Sequence, residues 1–592
     1  MATRSKPASD RGGAVLEAAF ATLPLLTPPP SRPSVKEWGA SFALFALLTA
    51  AMTWPFAHRL RVIDAGDSAY FTWAIGWQIH ALKTAPSTLP HGNFYAPSRN
   101  TFFMDEPILG TGVLVLPFSF FTDDAILLLN LARLLTFVLT GLFTWRLARD
   151  IGLGNPASFA AGAFFAFSPI RVDQVAHVST LGTQWIPLVY LFARRFCLAP
   201  SSRDGVLTGF MFALSFLACG YHGLFLAVLL PLSLIPFLFS SQARQILAKG
   251  GLAVATAALL LYPLYAFSRE ALGPLRFERS AVDTLKYAAS LETFVAANRW
   301  NRVWGGLTEN FRGDPSNLFP GLMVLILAAI AVIRIRGTRF PASRSVIAVL
   351  IILGVGAAAL ALGPQIRLQG VSVMPGPFSL LRDHVSVFSN IRATSRAGIF
   401  CAFALAVLAG IALDTFRRAH VLSALALAGF LAEARIAPIP TPAWTNVIWS
   451  RAPVPRVYQW LKEQPAGSVV AELPARLASD YSRPAFHDSI YMVRSTLHWQ
   501  PLVNGFAGAE TPLIRRFRAT APSFPESSSL AVLKEAGTRF VVVHLRGYGP
   551  KQRERLETQI AQMKEQVREI QRFVNPGGAG ADVDVVYELI GS

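Results

Sequence analysis

Long apolar runs follow one another along most of this chain, each close to the ~20 residues a helix needs to cross ~30 Å of hydrocarbon. Eleven can be read, at 38–57, 125–147, 157–170, 181–197, 204–219, 222–240, 246–267, 318–335, 345–363, 395–416 and 419–436. The short loops between them are asymmetric. Arg146 and Arg149, then Arg194, Arg195 and Arg203, then Arg244 and Lys249, then Arg334 to Arg344, then Arg417 and Arg418 share one side with the basic N-terminus. Positive loops stay inside, so the N-terminus is expected in the cytoplasm and the C-terminus outside. The run Pro107 to Phe121 would reverse every later loop if it crossed, so it is expected to lie at the outer face.

After Ile436 the period changes. Val469–Leu473, Arg539–His544 and Asp584–Leu589 read as strands. Lys551 to Phe573 reads as an amphipathic helix carrying Leu556, Ile560, Met563, Val567 and Ile570 on one face. The expected organisation is a disordered cytosolic tail at 1–36 with a proline cluster at 28–33, a polytopic α-helical membrane domain of about eleven transmembrane helices at 37–436, and an extracytoplasmic α/β domain at 437–592.

Composition agrees: 53% of the 592 residues are hydrophobic and 15% charged, against about a quarter charged in soluble domains. An ordinary soluble enzyme is excluded. The net charge of +19 is spread as topology signals rather than gathered into a patch, which argues against a nucleic-acid partner. Cys197, Cys219 and Cys401 all lie in or beside apolar runs, so neither a disulfide framework nor a thiolate metal site is implied. Walker, dinucleotide-glycine, HExxH and CxxC motifs are missing; any sugar donor would have to be lipid-borne.

The outer stretches 58–124, 268–317 and 364–394 carry the candidate chemistry. In the first, Asp64 and Asp67 precede a helix whose Tyr70, Phe71, Trp73, Ile75, Trp77 and Leu82 suit an interfacial helix with its aromatic face in lipid. Either carboxylate could serve as a general base, hold a cation, or cap that helix. Between two short spans, Arg171, Asp173, His177 and Gln184 could bind a substrate head group, or Arg171 and Asp173 could simply pair. Arg392 and Arg396, four apart before a late span, could each fork onto a phosphate, or meet Asp383 in a salt bridge. Arg133 is a costly charge inside an apolar run, and Asp105 with Glu106 adds two outer carboxylates. For a divalent cation (Mg or Mn) the only oxygen donors in view are Asp64, Asp67, Asp105, Glu106 and Asp173, and no metal site is assigned. In the C-terminal part, Trp499 could stack on a sugar with His498 and Asn504 beside it, or belong to the core.

These features together resemble the GT-C class of polyprenyl-phosphate-dependent glycosyltransferases, of the bacterial aminoarabinose and mannosyl transferase kind. Asp64-Ala65-Gly66-Asp67 with Phe71, Trp73, Trp77 and His80 is similar to the class's acidic first-loop signature. Phe167 to Arg171 with His177 and Gln184 to Leu188 is similar to its second outer motif. Arg392-Ala393-Thr394-Ser395-Arg396 is similar to an Arg-x-Pro-Ser-Arg pattern, with threonine where proline is usual. The resemblance implies a GT-C-like membrane fold in a bacterial inner membrane. It also implies inverting transfer of a sugar from polyprenyl phosphate to a glycan, lipid or protein acceptor, with Asp67 or Asp64 as base. Arg392 and Arg396 would then stabilise the departing phosphate, with His80, Asp105, Arg133, Arg171, Asp173, His177 and Gln184 as candidate substrate contacts. The alternatives are a flippase or transporter for polyprenyl-linked lipids, or a non-catalytic scaffold of envelope polysaccharide assembly.

Overall fold

The computed structural model describes residues 33–275, 279–311, 317–334, 344–436, 447–449, 454–475, 487–575 and 582–590. Nearly all of the 1–36 stretch falls outside them. Helices of eight residues or more are numbered in chain order. The membrane-type bundle comprises α1 (Val35–Met52), α3 (Ala125–Ile151), α4 (Asn155–Ala166), α5 (Ile186–Leu198), α6 (Ser202–Ala218), α7 (Gly220–Leu234), α8 (Ala243–Leu272), α9 (Leu322–Ile333), α10 (Arg344–Ala361), α11 (Gly398–Asp414) and α12 (Ala419–Glu433), while α2 (Asp67–Thr84) lies in the first outer stretch. Each apolar run read from the sequence is helical. Six of the described helices are long and apolar enough to cross a membrane, and α9 and α12 are shorter apolar helices. The 107–121 run breaks into a single turn at Leu109–Gly112 and a 3-10 segment at Leu116–Phe120.

The bundle packs around α11, whose Ala- and Gly-rich sequence lets neighbours approach closely. Between α3 and α4 the backbones touch: a Cβ on Gly162 would lie 2.5 Å from the Gly141 carbonyl oxygen. At one end of α3, Asp150 accepts from Arg194 at 2.7 Å and from Arg195 Nε at 2.9 Å. Several of the basic loop residues are thus tied down by one carboxylate.

The C-terminal part builds a four-stranded sheet in the order β5 (Val470–Leu473), β6 (Phe540–His544), β8 (Val583–Leu589), β7 (Val567–Val574), with β5 and β6 parallel and the rest antiparallel. Helices α13 (Arg456–Glu463), α14 (Asp488–Ser495), α15 (Pro512–Thr520), α16 (Ser527–Glu535) and α17 (Pro550–Gln562) surround it. The expected helix over Lys551–Phe573 therefore ends at Gln562. Val567 and Ile570 keep helical spacing, but the segment pairs with β8 instead, and a register shift between Glu569 and Gln571 absorbs the odd spacing.

A second correction concerns α2. Tyr70, Phe71, Trp73 and Trp77 are 2%, 5%, 0% and 6% exposed, so the helix does not lie in lipid. They share one apolar core with Ala471, Leu473, Val541, Val543 and Tyr587 of the sheet. The aromatic face is taken out of water in either setting, and here the sheet covers it. The sheet's other face, Val470, Phe540, Val542 and Val586, packs on α13, following the two-residue period of strands.

Candidate active site

Chain geometry delivers the first outer acids to one point. Strand β1 (Val62–Asp64) pairs antiparallel with β4 (Val447–Trp449), Asp64 opposite Val447. Gly66 then turns the chain at φ +82°, in a region that glycine tolerates, and α2 begins at Asp67. The Gly66 N–H donates to Ser489 Oγ of α14 at 3.0 Å. Asp67 is the first helical residue, and no side chain caps the turn.

The two acids diverge in role. Asp64 is 7% exposed. Burial pushes its carboxyl above the usual range, and the Arg133 guanidinium and Ser68 hydroxyl oppose that in part. Arg133 also donates to Ser68 Oγ (2.7 Å), Asn130 Oδ1 (2.8 Å) and the Ala176 carbonyl (3.2 Å). The costly intramembrane arginine thus braces the acid loop from behind and is closed to a substrate.

Asp67 is open. Its Oδ2 lies 2.8 Å from His177 Nε2, with 46% of the aspartate and 38% of the histidine side chain exposed. Burial is the largest single influence and works upward, yet the His177 hydrogen bond and charge, with Arg396 and Arg392, hold the carboxyl below its ordinary value.

His177 lines a cavity of about 130 Å³ together with Gln174, Thr180, Tyr287, Asn317, Arg392 and Arg396, floored by Ile170, Leu318 and Ile399. Arg392 lies 4.6 Å over the Tyr287 ring and Arg396 4.4 Å over the Tyr221 ring. Neither makes an ion pair within 4 Å among the described residues, and the alternative partner Asp383 is not engaged. Two cations with aromatic backing and no bonded anion make a pocket suited to phosphate.

The remaining candidates fall elsewhere. Arg171 is fully buried, donates to the carbonyls of Ala166 and Leu181, and lies 4.9 Å from the Phe137 ring; it supports the cavity wall and neither pairs with Asp173 nor lines the cavity. Asp173 accepts from Asn298 and Asn317 instead. Gln184 is fully buried. His80 lies about 20 Å from Asp67 along α2 and stacks on Trp499 at 4.2 Å. Asp105 accepts from the Glu106 and Gly508 N–H groups at 2.7 Å each, and burial pushes it up to about 6. In the C-terminal part, Asn504 is fully buried on the Glu472 backbone, while His498, 8% exposed, stacks on Tyr458. Trp499, half-buried, stacks on His80 and touches Trp77. Tyr287, Tyr221, Asn317 and Gln174 were missed; lone polar residues between spans carry no spacing signal.

Among the described residues no three His, Cys, Asp or Glu side chains converge; Asp67 is bonded to His177, Asp64 is sealed, and Asp105 is held by N–H donors.

A family model described as a domain of unknown function, DUF6311, matches residues 39–432. The chain belongs to the DUF6311 family. No curated protein matches it. Among solved structures, this DUF6311 chain is similar to the arabinofuranosyltransferase AftD from Mycobacteria, with a TM-score of 0.59 at 17% identity over 96% of this chain and 41% of that one. The DUF6311 chain thus spans well under half of AftD's length. A match to ArnT from Cupriavidus metallidurans bound to undecaprenyl phosphate has a TM-score of 0.48 at 12% identity, covering 94% and 99%. At 17% identity the likeness to AftD is one of fold.

Proposed function

We propose that this DUF6311 protein is an inverting glycosyltransferase of a bacterial inner membrane, crossing eleven times with its C-terminal domain outside. It moves a sugar from a polyprenyl-phosphate donor to an extracytoplasmic glycan, lipid or protein. The observation that carries this reading is the cavity that His177, paired with Asp67, lines together with Arg392 and Arg396. A base and a phosphate clamp lining one small space are what displacement at an anomeric carbon requires. Support comes from the fold shared with AftD.

The acceptor hydroxyl attacks the anomeric carbon as the Asp67–His177 pair takes its proton. The bond from that carbon to the phosphate oxygen breaks, and the polyprenyl phosphate leaves with added negative charge. Arg392 and Arg396 stabilise that charge where water is scarce, an effect worth roughly 3–4 kcal/mol per well-placed donor. Asp64, sealed beneath Arg133, keeps the loop in shape.

The test is radiolabel transfer by the purified full chain in lipid, from a panel of polyprenyl-phosphate pentoses and hexoses to simple alkyl glycosides. Transfer by the wild type, lost in the Arg392→Gln/Arg396→Gln variant, is the expected result. Lipids moved between leaflets without transfer would turn the reading toward a flippase.

A further inference from the structure

The resemblance to GT-C enzymes assigns proton abstraction to an aspartate, but the geometry assigns it to a different atom. We propose that His177 is the proton acceptor and Asp67 its positioning carboxylate. This rests on the glycosyl-transfer reading above and specifies its acid–base chemistry.

Three observations carry it. First, His177 Nε2 lies 2.8 Å from Asp67 Oδ2. Asp67 is held ionised by its surroundings, so the proton between the two sits on Nε2, which makes a neutral imidazole the Nδ1-acceptor tautomer. Second, His177 is the member of the pair that lines the cavity holding Arg392 and Arg396. Nothing among the described residues hydrogen-bonds to its Nδ1. Third, an ionised carboxylate held below its ordinary range by a histidine and two arginines is a weak base, whereas a carboxylate-oriented imidazole is the arrangement that activates hydroxyl nucleophiles.

The balance is simple. The acceptor O–H proton passes to His177 Nδ1 as the new glycosidic C–O bond forms, and the electron pair of the broken bond leaves on the phosphate. The imidazolium so formed is stabilised by the Asp67 carboxylate and loses its proton to solvent. The charged and titratable groups that face His177 are Asp67, Asp173, Arg392, Arg396 and the Tyr287 phenol.

The experiment compares wild type, His177→Gln and Asp67→Asn in lipid by transfer kinetics across pH and by carbethoxylation with diethyl pyrocarbonate, read by mass spectrometry. Carbethoxylation needs an accessible, unprotonated imidazole nitrogen and no turnover. The wild type should show an acid limb in kcat and should be labelled at His177, with protection by undecaprenyl phosphate. His177→Gln should lose about 100-fold or more in kcat, with KM within about twofold, and should lose the acid limb. Asp67→Asn should keep the limb while lowering kcat, because the imidazole remains and only its positioning carboxylate is lost. Two results overturn the proposal: His177→Gln retaining the limb and most of the rate, or His177 resisting labelling while exposed His384 reacts. Wild-type labelling and protection without transfer from any donor would instead overturn the glycosyltransferase reading alone.

Discussion

The Asp67–His177 pair and the cluster around His544 place the same side-chain chemistry in opposite surroundings. His544 Nε2 lies 2.8 Å from Glu472 Oε2 and its Nδ1 2.7 Å from Asp584 Oδ1, with exposures of 8%, 0% and 4%. Tyr458 donates to Glu472 and Asn575 to Asp584, both inside 2.8 Å. Each ring nitrogen is taken and the three side chains are nearly fully buried, so this cluster joins β5, β6 and β8 away from any substrate. The pair at α2 is half exposed, and among the described residues it leaves one ring nitrogen without a bond and shares a cavity with two arginines that lack a bonded anion. Histidine beside carboxylate is therefore not itself a sign of catalysis. An unused nitrogen, a cavity and uncompensated charge separate the proposed site from the structural one.

The strongest way to break this contrast is to remove the uncompensated charge. Arg392→Gln with Arg396→Gln should lower transfer by about 10³-fold or more, since one such donor is worth about 10²–10³ in kcat. Steady-state kinetics in lipid checks it, and near-normal turnover would mean that the cavity serves something other than a leaving phosphate. Thermal stability should change little, because neither arginine has a bonded carboxylate to strand.

The sealed cluster should behave in reverse. His544→Gln leaves Glu472 and Asp584 buried around a neutral centre, and breaking a buried ion pair costs about 3–5 kcal/mol. Thermal unfolding, or protease resistance of the C-terminal part, should fall sharply. The transfer pH profile of surviving protein should keep the wild-type acid limb.

A pH scan sharpens the same point. Burial lowers His544, the largest single influence, but the hydrogen bonds and charges of Asp584 and Glu472 outweigh it and push the imidazole up to about 10. A group raised in the folded state stabilises fully below its unfolded value near 6.5. That stabilisation is lost as pH rises toward 10. Asp584, held low against burial by His544 and Asn575, adds a term lost in acid. Stability of the C-terminal part should therefore decline from about pH 6.5 to 10, and His544→Gln should flatten that slope.

The sequence revealed one site more readily than the other for a physical reason. Membrane helices announce themselves by length and apolarity, so the runs that became α3, α7, α8, α10 and α11 were legible. The acids at 64–67 and the arginines at 392 and 396 were legible as charges at the ends of apolar runs. What joins them was not: His177 meets Asp67 across 110 residues of sequence, and Tyr287 and Asn317 reach the cavity from a loop without periodicity. The aromatic face of α2 misled because a pattern that suits lipid also suits a protein core, and only the sheet's buried side decides between them. For Arg133 and Arg171 the sequence records a costly charge but not the carbonyls and hydroxyls that receive it.

The smallest expected effect tests whether the C-terminal domain is an appendage or part of the site. Ser489 is fully buried and takes the Gly66 N–H at 3.0 Å, while its own hydroxyl meets His487 Nδ1 at 2.8 Å. This contact reaches from α14 to the turn that aims Asp67. Ser489→Ala leaves one buried N–H unpaired, a cost of about 1–3 kcal/mol, borne by the turn rather than by the substrate. The expected result is a fall in kcat of about 3–10-fold with KM unchanged. Ser489→Thr, which keeps the hydroxyl, should restore most of the rate. A wild-type rate in Ser489→Ala would show that β1, β4 and Arg133 suffice to hold the acid loop, and that the sheet guards its own closed cluster without shaping the open one.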